Sequence, residues 1–72
     1  ISIEIHTETL DNTQLCINYL RTLGNYEFNV ARADELQMQF EQWQSPDDII
    51  DLLNKLIENE PLFWGDLYAR LR

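Results

Sequence analysis

The stretch Leu36-Gln37-Met38-Gln39-Phe40-Glu41 decides how this chain folds, because it reads in two ways. Its apolar residues stand at every second position, which is the signature of a half-buried strand. Leu36, Phe40 and Trp43 also recur at helical spacing, Gln, Glu, Leu and Met are good helix formers, and Asp34 with Gln37 has the form of a capping box. The strand is the preferred reading, joined to its predecessor through residues 31–35 as a hairpin. Two strands alone make a marginal sheet, whereas a third gives an apolar face large enough to pack helices on.

Upstream, Ile1 to Thr7 alternates apolar and polar residues and carries isoleucine on its apolar side, so it is expected to be the first strand. From Leu10 the signals change to those of a helix start, with Asp11 as N-cap, Gln14 completing a capping box and Leu10 and Leu15 placed for a hydrophobic staple, and Leu15, Cys16, Tyr19, Leu20 and Leu23 fall on one face of that helix. Gly24-Asn25 suits a helix end in the left-handed conformation. Tyr26 to Val30 alternates again as the second strand.

Downstream, Ser45-Pro46-Asp47-Asp48 is a helix start: a Ser cap, Pro at the first helical position and carboxylates at the positive end of the macrodipole. Ile49, Leu52, Leu53, Leu56 and Ile57 form its apolar stripe, and Pro61 limits it to about Asn59. Trp64, Leu67, Tyr68 and Leu71 follow at i, i+3, i+4 and i+7, which predicts a short last helix despite Gly65. The expectation is a single α+β domain over residues 1–72, ordered β-α-β-β-α-α, with helices on one face of a three-stranded sheet. The alternative, with 34–43 helical, is mostly α.

The composition narrows the function. At 72 residues the chain can build one core and no second domain. Thirteen acidic against five basic residues leave a net charge of −8, which repels nucleic-acid phosphates and anionic lipid headgroups and favours basic partners. Nine of the acids lie between Asp34 and Asp66, where Lys55 is the only base. No apolar run has the roughly 18 residues needed to span a bilayer. One cysteine, Cys16, cannot make an internal disulfide, which fits a reducing, cytoplasmic setting, and its place on the apolar helix face points to a core residue.

Three constellations could carry chemistry. Asp47-Asp48-Ile49-Ile50-Asp51 resembles the aspartate-rich motif with which prenyl-diphosphate enzymes hold magnesium. The resemblance covers five residues of a chain too short for that cavity, and helix-start electrostatics explains the same acids. Glu4, His6 and Glu8 alternate onto one side of the first strand as an imidazole and carboxylate group, for which a solvated sheet face is the ordinary explanation. With no phosphate loop or nucleophile elbow, an enzyme is not expected, nor any cofactor or metal.

The third constellation, Pro61-Leu62-Phe63-Trp64-Gly65-Asp66-Leu67-Tyr68, is too apolar around a helix to be covered on one side only. The expected function is therefore a non-catalytic protein-interaction or regulatory module. It would dock another protein, one with a basic surface, through Leu62, Phe63, Trp64, Leu67 and Tyr68, with Asp47, Asp48 and Asp51 steering the approach. A homo-oligomer is compatible with the same segment. The alternative is an acidic mimic of nucleic acid that inhibits a DNA- or RNA-binding protein.

Overall fold

A computed structural model describes residues 1–33 and 37–72. Strand β1 spans Ser2–His6, and a single 3-10 turn, Thr7–Thr9, leads into helix α1, Leu10–Leu23. Strand β2 covers Tyr26–Arg32, helix α2 Pro46–Asn59 and strand β3 Trp64–Leu71. The α+β class stands, as do the three-stranded sheet and the helices on one of its faces. The sheet order is β1-β3-β2, with both outer strands antiparallel to β3.

The register explains the core. Ile3 faces Leu67, which faces Val30 on its other side, and Ala69 faces Phe28. These residues share one sheet face, where Phe28, Val30, Leu67 and Ala69 meet Ile17 and Leu20 of α1 and Ile49 and Leu53 of α2 in a single buried cluster and Ile3 packs half-buried against it. Helix α2 forms as its sequence dictates: the Ser45 hydroxyl accepts from the Asp48 N–H at 3.2 Å and Pro46 opens the first turn.

The third strand is not the one expected. Among the described residues, 37–43 form neither a strand nor a helix, and the capping pair Asp34 and Gln37 begins outside them. The segment nevertheless runs antiparallel along the outer edge of β2, touching it at the bridges Ala31 to Met38 and Phe28 to Gln44. Three positions separate Phe28 from Ala31 but six separate Met38 from Gln44, so the excess residues bow out and break the ladder. The side chain of Asn29 fills the gap. Its Nδ2 donates to the Phe40 carbonyl at 2.9 Å, while its Oδ1 accepts from the N–H groups of Phe40 and Val30.

The last element is a strand and not a helix. Although Trp64, Leu67, Tyr68 and Leu71 satisfy helical spacing, Phe63, Gly65, Leu67 and Ala69 also alternate, and these four are buried. Aromatic residues favour the strand, Gly65 disfavours a helix, and the sheet gains a central member that the 37–43 segment does not supply.

Helix α1 also turns differently from expectation. It buries Thr13, Ile17 and Leu20, leaving Leu15, Cys16, Tyr19 and Leu23 outside. It starts at Leu10 with Thr9 at the cap position, so Asp11 is not its cap, and Gly24 ends it in extended backbone.

Candidate functional site

The chain does not assemble the expected partner-binding residues into one surface. Phe63 and Leu67 are core residues, 5% and 0% exposed, because strand alternation turns both toward the helices. Tyr68 is half-buried on the opposite sheet face, beside Asn29 and Ser2 in register. Asp47, Asp48 and Asp51 are exposed on the first turns of α2. At 1.5 Å per residue, most of a helix about 20 Å long separates them from the Pro61 end.

What remains of the aromatic segment is a ridge. Leu62 is 93% exposed and Trp64 52% exposed, while Phe63 between them is anchored in the core. The sequence folds this way because Pro61 stops α2, Phe63 N–H then closes a turn onto the Glu60 carbonyl at 2.9 Å, and β3 begins one residue later. Thr7 pins the turn from the other side, its hydroxyl donating to the Pro61 carbonyl. Arg32 braces it from β2: the guanidinium pairs with Glu60 and stands 5.2 Å over the Phe63 ring. That hydrogen bond, reinforced by the charge of Arg32, holds the Glu60 carboxyl below its ordinary pKa.

Open grooves flank the ridge on both sides. One, of about 440 Å³, runs between the ridge and Arg32, Ala33 and Glu60. The other, of about 460 Å³, is bounded by His6, Thr7 and Glu8. The His6 ring lies nearly parallel to Trp64 at a centroid distance of 6.4 Å, and its Nε2 pairs with Glu4 Oε1 at 2.8 Å. The ridge therefore presents two large apolar side chains on a braced turn, with carboxylates at the rims of both grooves.

The sequence holds two other candidate constellations. Glu8 lies in the 3-10 turn beyond β1, off the strand face that Glu4 and His6 share, and no cluster of three metal-ligating side chains occurs among the described residues. Several acids are engaged in ion pairs: Asp47 with Arg21 at 2.7 Å, and Glu27 with Arg70 at 2.7 Å. The Asp47 to Asp51 group is thus a helix start tied to α1, with Asp48 N–H capped by Ser45.

Sequence reasoning missed the outer stripe of α1. The signal was present as two apolar stripes on one helix, Leu10, Ile17 and Leu20 beside Leu15, Tyr19 and Leu23, of which only one can face a single core. Also missed was Trp43, whose ring lies 4.0 Å beneath the Arg70 guanidinium.

No protein-family model, curated protein or solved structure matches this chain. No helix among the described residues is long and apolar enough to cross a membrane.

Proposed function

We propose that the chain is a non-catalytic protein-interaction module that docks its partner on the Leu62 and Trp64 ridge. The observation that carries this reading is the near-complete exposure of Leu62 on a turn whose neighbour Phe63 is buried. A flexible tip would lose conformational freedom on binding. This one is held by α2, Thr7 and Arg32 beforehand, so less ordering remains to oppose association.

The partner is a protein segment with apolar side chains for the grooves and basic residues around them. Glu8 stands at the rim of one groove, while Glu60 at the other is already paired with Arg32; the acidic α2 start, Asp47, Asp48 and Asp51, adds a long-range field that raises the encounter rate without touching the partner. A cytoplasmic setting suits a chain whose lone cysteine is exposed.

Selection from a displayed peptide library tests the proposal, with wild-type chain as bait and a Leu62→Asp, Trp64→Ala chain as counter-bait. Peptides combining basic and large apolar residues are expected to enrich on wild type alone. Equal enrichment on both baits would overturn the ridge as the docking site.

A further inference from the structure

We propose that β1 and the outer stripe of α1 form a two-fold interface between two copies of this chain, extending the three-stranded sheet to six strands. The pairing uses residues 1–5 and the outer stripe of α1 and not the Leu62 and Trp64 ridge, so this inference goes beyond the function proposed above.

The backbone of β1 is half-paired. The Ile1 amino group donates to the Ala69 carbonyl at 3.3 Å, and the Ala69 N–H donates back to the Ile1 carbonyl at 2.9 Å. In an antiparallel ladder every second residue bonds the same neighbour, so Ile3 and Ile5 also face β3, and the N–H and C=O groups of Ser2 and Glu4 point out of the sheet. Among the described residues nothing pairs with that edge. The opposite edge of the sheet is occupied: Gln39 N–H bonds the Val30 carbonyl, and Gln44 exchanges bonds with Phe28. Among the described residues the sheet thus has one open edge, and pairing through it closes at two copies, whereas two open edges would permit a fibre.

Apolar side chains stand beside this edge. Leu15, Tyr19 and Leu23 recur at every fourth position of α1, 67%, 65% and 58% exposed. With Ile1 and Ile3 of the open strand, Leu15 and Tyr19 line an apolar groove of about 280 Å³ between helix and strand edge. An occupant must offer a strand for the edge and an apolar face beside it, on the helix side of the sheet. A second copy offers both at matching positions.

Register and charge favour that occupant. A two-fold axis through Ile3, perpendicular to the sheet, sets Ser2 opposite Glu4, Ile3 opposite Ile3 and Ile1 opposite Ile5, and lays the two α1 stripes against each other. Shifting the axis to Glu4 would oppose two like charges, which is unfavourable. The α1 stripe carries no charge, and α2 with its carboxylates packs over β2, the strand farthest from β1. Apart from Glu4, whose carboxylate is paired with His6 on the sheet face away from the helices, the two copies of net charge −8 meet through uncharged side chains.

Sedimentation equilibrium across a concentration series tests the interface. The wild-type chain is expected to approach twice its 8.6 kDa mass. Leu15→Glu with Tyr19→Glu should hold it at the single mass, and Leu62→Asp should leave the dimer intact. Glu4→Pro removes an outward N–H without touching the bonds to β3, and should weaken dimerisation on the order of tenfold or more. If the double variant does not fold, alkylation of Cys16 in wild type decides, its rate expected to fall as concentration rises. A single mass at every concentration, a folded double variant that stays dimeric, or a Cys16 rate independent of concentration would each overturn the proposal.

Discussion

Gly65 and Ala31 approach so closely across the β2 and β3 pair that a Cβ on Gly65 would sit 2.2 Å from the Ala31 carbonyl oxygen. The obstructing atom is backbone, which cannot swing aside as a side chain could. Gly65→Ala should therefore force β3 away from β2 and cost about 2–3 kcal/mol, as overpacked cores do. That is a large share of a total stability of roughly 5 kcal/mol for a domain this small. The urea midpoint of the variant checks it.

Asn29 is 1% exposed, and its amide carries the bonds that a regular strand at 37–43 would have made to β2. Asn29→Ala should leave the N–H and carbonyl of Phe40 without these partners, at a cost of about 1–3 kcal/mol. The loss should be local before it is global. In hydrogen exchange, the Gln39 and Gln44 amides are expected to exchange faster in the variant while those of β3 keep their protection.

These two residues also explain how far the sequence could be read. The start of α2 was legible because Ser45-Pro46-Asp47-Asp48 acts locally, through a cap and a dipole. β1 and β2 were legible from alternation against one apolar face. Residues 62–71 were not, because Trp64, Leu67, Tyr68 and Leu71 recur at helical spacing while Phe63, Leu67 and Ala69 alternate, and the choice depends on whether another segment completes the sheet. Met38 and Phe40 alternate as a strand should, but the excess residues against β2 and the Asn29 amide are tertiary facts. The candidate site inherited the same ambiguity: a helix would have grouped Trp64, Leu67 and Tyr68, and the strand sends Leu67 to the core and Trp64 outward.

Glu60 gives a pH dependence of definite sign. Its folded pKa lies below the ordinary value of 4.5 because Arg32 hydrogen-bonds its ionised form. A depressed carboxyl stabilises the fold above its unfolded pKa, and that stabilisation is lost as pH falls through the lower folded value. Urea unfolding at neutral pH and near pH 3 should show Glu60→Gln losing less stability on acidification than wild type does.

Phe63 and Trp64 are adjacent but should respond in opposite ways to truncation. Phe63→Ala removes a core ring and should cost about 3–5 kcal/mol, enough to threaten folding. Trp64→Ala, at a half-exposed outer position, should cost about 1 kcal/mol or less in stability. Its effect should appear in binding, with affinity for a selected peptide falling roughly thirtyfold, the scale of an interface hot spot. Thermal melts and peptide titrations of the two variants separate the roles.

Whether the Leu62 and Trp64 ridge is a binding surface is tested most directly by amide NMR shift mapping of the wild-type chain with a selected basic, apolar peptide. Shifts are expected to centre on Leu62 and Trp64 and to spread to His6, Thr7 and Ala33 across the two grooves, leaving Asp47 to Asp51 unmoved. Shifts centred on the start of α2, with Leu62 and Trp64 unchanged, would contradict it.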